Sequence, residues 1–285
     1  MPPTVMPVAF EHHREALGIG TSRPRISWKT SGAPGWSQTA YQVETTRNGE
    51  TALSSPLASG ESVLVPWPAD PLRSGEEVSV RVRVWGSPGA GASAGEPSDW
   101  SEPATVEAGL LEPGDWIASA ITPAWDEDPE SDRRPPLLRR EFSVHSPVAK
   151  ARLYVTAHGL FEMEVNGTRV GTDILSPGWT VYGERLRYYT YDVTGLVHEG
   201  GNAVGSWLAD GWYRGRIGFH DGYRNLISRW GFEQVLPYGR GLTLLFSGPS
   251  GTGRTLLAQA LAASAGLPII TLSATDLPES EGLER

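Results

Sequence analysis

The sequence predicts a mainly β protein: two consecutive β-sandwiches, the second incomplete, followed by one C-terminal β-α-β unit. Three observations carry this. Short runs of alternating apolar and polar residues, separated by Asn-Gly and Pro-rich turns, continue to about residue 227. All eleven tryptophans lie at or before Trp230, so the composition changes there. Beyond it come a continuous apolar run, a glycine-rich loop and a helical period, in that order. The segments are therefore 1–110, 111–227 and 228–285.

In the first segment, "RPRISWKT" predicts a strand carrying Ile26 and Trp28. "AYQVETTRNGE" places Tyr41, Val43 and Thr45 on one face and then reaches Asn48-Gly49, a dipeptide suited to the positive φ angles of a tight hairpin turn. "SVLVPW" predicts another strand, ended by Pro66 and Pro68. "VSVRVRVWG" alternates cleanly, with Val78, Val80, Val82 and Val84 on one face and Ser79, Arg81, Arg83 and Trp85 on the other. Trp28, Trp85 and Trp100 read as core or edge aromatics before they read as sugar platforms.

The second segment opens on a loop, "WDEDPESDRRPP", whose acids between Asp126 and Asp132 lack the spacing and glycine of a calcium loop and read as a solvated surface. Strands resume at "LLRREFSV" and "ARLYVTA". "LFEMEVNGTRVG" alternates Phe161, Met163 and Val165 with Glu162 and Glu164, and Asn166-Gly167 makes a second hairpin turn. Asn166-Gly167-Thr168 also spells a glycosylation sequon, for which the turn reading is preferred.

The third segment changes grammar. "LTLLFSG" reads as a parallel strand buried on both faces. "GPSGTGRT" follows, then a helix with Leu256, Leu257, Ala260 and Leu261 on one face and Gly266 as its cap, then the strand "LPIITLS". In that context Gly248, Gly251, Thr252, Gly253, Arg254 and Thr255 are candidate nucleotide ligands. Backbone N–H groups from Gly251 to Thr255 would wrap phosphates at a helix N-terminus, and Thr255 would hold magnesium. Arg254 stands where such loops carry lysine; it keeps the charge but replaces a compact ammonium with a planar fork.

Bulk properties narrow the partners. A formal net charge of −9 without a basic patch argues against nucleic acid. The absence of cysteine excludes disulfides and thiolate metal sites. No stretch approaches the roughly 18 apolar residues of a membrane helix. The N-terminus lacks the pattern of a signal peptide, so a cytoplasmic location is expected.

The words "LGIGTSRPRISW", "PLRSGEEVSVRVRVWG" and "PSDWSEPATVEAGLLEPGDW" resemble the fibronectin III-like domain that opens bacterial α-L-rhamnosidases. "YVTAHGLFEMEVNG", "LSPGWT", "YYTYDVTGLV" and "GGNAVGSWLADGWYRG" resemble the N-terminal domain of the same family, a jelly-roll-like sandwich. "WGFEQVLPYGRGLTLLFSGPSGTGRTLLAQALA" resembles the AAA+ ATPases. The resemblance to the rhamnosidase N-terminal domain implies rhamnose-containing glycans as partners, with calcium bridging protein and sugar in some members. Asn166, Asp210, Trp212 and Tyr213 supply the aromatic faces and hard oxygens such a site needs, and the resemblance places Asn166 and Asp210 near the family's calcium and sugar ligands. The competing reading makes Asn166 a turn former and Trp212 core. No catalytic residue is expected, because the family's acid pair belongs to a helical barrel that follows these modules; Asp192 and Asp221 read as turn residues. The resemblance to the AAA+ ATPases implies ATP and magnesium. The chain thus reads as a joint, near Asn225 to Arg229, between rhamnosidase accessory modules and an incomplete ATPase. Three functions stay open: a carbohydrate-binding region, a nucleotide binder, or a hybrid without activity.

Overall fold

The computed structural model describes residues 3–32, 34–87, 95–124, 134–214 and 242–247. The chain divides into two compact units, Met1–Asp115 and Trp116–Arg285.

The first unit contains β1 (Thr4–Val5), β2 (Ala9–Phe10), β3 (Leu17–Ile19), β4 (Ile26–Ser27), β5 (Thr30–Ser31), β6 (Ser37–Arg47), β7 (Glu50–Leu53), β8 (Leu57–Ala58), β9 (Glu77–Ser87) and β10 (Ala104–Ala108). Its main sheet runs β3-β10-β9-β6-β7, with β8 also on β6; β1 pairs with β5, and β2 with β4. The alternation of β9 is realised as expected. Val78, Val80, Val82 and Val84 are buried in a core with Ile26, Trp28 and Val43. On the opposite face Arg81 pairs with Glu44, and Arg83 donates to Gln42 Oε1 at 2.7 Å and stacks over Trp100 at 4.8 Å. Asn48 and Gly49 adopt φ of 51° and 83°, and Arg47 faces Glu50 directly, as a two-residue hairpin requires.

The strand expected at "SVLVPW" shrinks to one bridge, Ile26 with Val65. Leu64 sits at φ 51°, a left-handed angle that breaks an extended run, and its N–H is taken by Ser27 Oγ at 2.8 Å. Residues 111–115 stay with the first unit because Leu111 N donates to Ser74 Oγ at 2.9 Å, while Ser74 Oγ donates to Asp115.

The second unit contains β11 (Ala120–Ile121), β12 (Leu137–Val144), β13 (Arg152–Ala157), β14 (Leu160–Val165), β15 (Thr168–Arg169), β16 (Tyr189–Asp192), β17 (Gly200–Ala209), the short α1 (Gly211–Arg214) and β18 (Leu242–Ser247). One sheet is ordered β11-β18-β13-β16 and the other β12-β17-β14-β15, all antiparallel. Leu153, Val155 and Ala157 of the first sheet pack with Phe161, Met163, Val165, Val204 and Leu208 of the second in one core. Asp192 acts as a turn residue: its carboxylate accepts from Thr194 N at 2.9 Å and pairs with Arg152 at 2.8 Å.

One expectation is reversed. The run "LTLLFS" reads as a parallel strand of a separate β-α-β unit. Instead β18 pairs antiparallel with β13 along all six residues and with β11 at Leu242 and Thr243. An apolar run does not record which direction the neighbours of a strand run. The helix from Thr255, the strand "LPIITLS", the acidic loop Asp126–Asp132 and Asp221 lie outside the described residues.

Candidate functional site

The β14–β17 ladder decides which candidate residues meet. It runs from Val165↔Val204 at one end to Leu160↔Ala209 at the other. Asn166 lies beyond the first end, with its N–H on Ala203 O at 2.8 Å. Asp210, Trp212 and Tyr213 lie beyond the second. The seven steps from Ala203 to Asp210 span about 23 Å of extended strand. Calcium holds its ligands at about 2.3–2.6 Å, so no single ion takes both Asn166 and Asp210.

Asn166 is occupied by the fold. It sits at φ 51° in the β14–β15 turn. Its Nδ2 donates to Leu196 O and to Asn202 Oδ1, both at 2.8 Å, and its Oδ1 accepts from Ala203 N at 2.7 Å. Asn202, 4% exposed, extends the network through Nδ2 to His198 O at 2.7 Å and Gly200 O at 3.0 Å. An open depression of about 450 Å³ adjoins these amides. Its other polar groups include Arg139 and Glu141, which pair with each other at 2.7 Å.

The opposite end gathers aromatic rings. Gly159, at φ 107°, lets the β13–β14 turn pass so close to β17 that a Cβ there would lie 2.2 Å from Ala209 O. His158, beside it, stacks on Tyr213 with ring centroids 4.5 Å apart. Tyr182 meets Tyr213 edge-on at 5.1 Å and His158 at 6.1 Å. Tyr213 is 3% exposed and forms the base of the cluster. α1 begins where Tyr213 N donates to Asp210 O at 3.1 Å, and the same turn carries Trp212 outward. Trp212 is half-buried and lies parallel to Trp179, with rings inclined by 5° and centroids 6.5 Å apart. Trp179 is 66% exposed and follows the turn at Pro177-Gly178.

Burial sets the electrostatics. It holds the His158 imidazole below its ordinary pKa, so the ring is neutral over more of the pH range. Burial, reinforced by Tyr213, pushes the Tyr182 phenol up to about 12. Both shifts favour the uncharged forms of His158 and Tyr182; aromatic faces such as those of Trp179 and Trp212 are of the kind that stack on the apolar face of a sugar ring.

Among the sequence candidates, Asp210, Trp212 and Tyr213 share one end of the ladder, and Asn166 is left at the other. Trp179, Tyr182 and His158 were not singled out from the sequence. The available signal was Pro177-Gly178 ahead of Trp179, a turn that carries a large apolar ring to its tip. Among the described residues no group of three or more His, Asp and Glu side chains forms a cluster that could hold a metal ion. Gly248, Gly251, Thr252, Gly253, Arg254 and Thr255 lie outside the described residues.

Two sequence families match this part of the chain. The "Rha78A-like, N-terminal immunoglobulin domain" matches residues 5–112, and the "Alpha-L-rhamnosidase N-terminal domain" matches residues 146–235. Both sandwiches resemble rhamnosidase N-terminal domains. The α-L-rhamnosidase of Alteromonas sp. is 38% identical over 216 residues, covering 70% of this chain and 23% of that protein. An α-L-rhamnosidase of Formosa agariphila is 33% identical over 227 residues, covering 75% and 24%. The chain therefore spans about a quarter of the length of these relatives. The crystal structure of the Aspergillus terreus α-L-rhamnosidase superposes with a TM-score of 0.73 at 44% identity, over 86% of this chain and 27% of that one. That of Dictyoglumus thermophilum gives 0.62 at 26% identity, over 75% and 26%. A third family, the "ATPase family associated with various cellular activities", matches residues 244–284, of which only 244–247 are described.

Proposed function

We propose that this chain is a non-catalytic, carbohydrate-contacting region of α-L-rhamnosidase type, and that it takes rhamnose-bearing glycans on the surface formed by Trp179 and Trp212. The carrying observation is the parallel pair of rings, one of them 66% exposed, in which Trp212 precedes the Tyr213 that stacks on His158. The rhamnosidase resemblance supplies the ligand class. Asp210 flanks the rings by sequence and is the polar group proposed to orient the sugar hydroxyls. Calcium is not needed for stacking, and Asn166 is committed to its turn.

The test is titration with L-rhamnose followed by tryptophan fluorescence and calorimetry. Trp179→Ala and Trp212→Ala are each expected to weaken binding at least tenfold, equivalent to about 1.4 kcal/mol. Trp207→Ala is the control, because Trp207 is 52% exposed on β17 but outside the ring cluster. A chelator is expected to leave binding unchanged. Equal affinity in all three variants would remove the surface from consideration, and loss of binding on chelation would restore calcium as a ligand.

The match over residues 244–284 favours a second reading, in which Gly248–Thr255 bind ATP with magnesium. The direction of β18 weighs against it.

A further inference from the structure

We infer that Leu242–Ser247, the strand that leads into the glycine-rich loop, is a structural member of the second sandwich and is withdrawn from any nucleotide-binding sheet. The segment similar to ATPases would then contribute a strand to this protein rather than a catalytic site.

Strand edges decide the matter. A phosphate loop of this kind follows a strand in a parallel sheet, so the strand needs parallel neighbours. A strand has two edges only. One edge of Leu242–Ser247 is taken along its whole length by β13, antiparallel, from Arg152↔Ser247 to Ala157↔Leu242. The other edge is taken at its start by β11, through Ala120↔Thr243 and Ile121↔Leu242. A parallel sheet built around this strand would have to displace β13, whose Leu153 and Val155 are fully buried.

The sandwich also depends on the strand. The register sets Leu242, Leu244 and Phe246 opposite Ala157, Val155 and Leu153, and the last three belong to the core. Without β18 the sheet falls to the single pair β13–β16, and β11 loses the strand it pairs with. Two strands alone are marginal in water, whereas four can close a sandwich face. One hexapeptide is thus claimed by two incompatible sheets, and the antiparallel one holds it.

The native chain has no cysteine, which makes a disulfide a clean reporter of register. Thr156 and Thr243 are direct partners. Directly opposed residues in antiparallel strands lie about 4.5–5.5 Å apart at Cα, within disulfide reach. In the full chain, Thr156→Cys with Thr243→Cys is expected to oxidise readily, and Thr156→Cys with Leu245→Cys, two residues out of register, at least tenfold more slowly. Magnesium-ATP is expected to change neither rate. Hydrogen exchange on the unmodified chain serves as the second measurement, with residues 152–157 and 242–247 protected together. Indiscriminate crosslinking, rapid exchange at 242–247, or ATP that binds and releases that strand would each overturn the inference.

Discussion

His158 shows how one residue carries the chemistry of its surroundings. It lies against Tyr213 and Tyr182, and burial depresses its pKa. The unfolded chain therefore binds the imidazole proton more readily than the folded one, so falling pH favours unfolding. The contribution is fully present above the ordinary value of 6.5 and is lost as pH falls from there through the depressed folded value. Melting curves between about pH 7.5 and about pH 5 should show a decline in the second unit that His158→Phe reduces. An identical slope in that variant would mean that other groups set the acid sensitivity. Nothing in the sequence announces this pair, because His158 and Tyr213 are far apart along the chain and only the fold stacks them. The same distance hides Trp179 from Trp212. Asn166 was legible as a turn residue, since Asn before Gly suits positive φ at both positions. Its second commitment, to Leu196 and Asn202, is tertiary and left no local mark.

The element scale separates what local pattern specifies from what partners decide. The strict alternation in β9 specified both its faces, and the dipeptides Asn48-Gly49 and Asn166-Gly167 specified two hairpins. "SVLVPW" has equally good strand composition, yet Ser27 captures Leu64 N and the run breaks. The turn between β14 and β15 illustrates the partner side. It is tied to the 193–199 turn by Asn166 and to β17 by Asn202, so three elements meet at two amides. Removing the Asn202 side chain leaves Asn166 Nδ2 short of one acceptor and strips His198 N of its partner. Asn202→Ala is expected to cost about 2–3 kcal/mol in denaturant unfolding of the second unit, as for other buried hydrogen-bond networks. A cost under about 0.5 kcal/mol, the range of ordinary surface changes, would show that water replaces the network.

At the scale of the whole molecule, the two units differ in where their strands come from. Among the described residues every strand of the first lies between Thr4 and Ala108, whereas the second recruits β18 from Leu242–Ser247, beyond the end of α1 at Arg214. One β-sheet thus joins Arg152–Ala157 to Leu242–Ser247, on either side of the joint expected near residue 227. This could not be seen in the sequence, because hydrogen-bond partners of β-strands are non-local and an apolar hexapeptide suits either sheet. The consequence is an asymmetric response to truncation. A chain ending at Gly241 retains all partners of the first unit. In the second it exposes the full β18-facing edge of β13, and exposed edges template aggregation. Leu153 and Val155 would then stand on a two-stranded remnant. Limited proteolysis read by mass spectrometry should find residues 3–87 equally resistant in the full and shortened chains. Residues 134–214 should be cut much faster in the shortened one, with aggregation during purification. If both chains protect residues 134–214 equally, the second sandwich closes without Leu242–Ser247, and that strand is left free for a nucleotide-binding sheet.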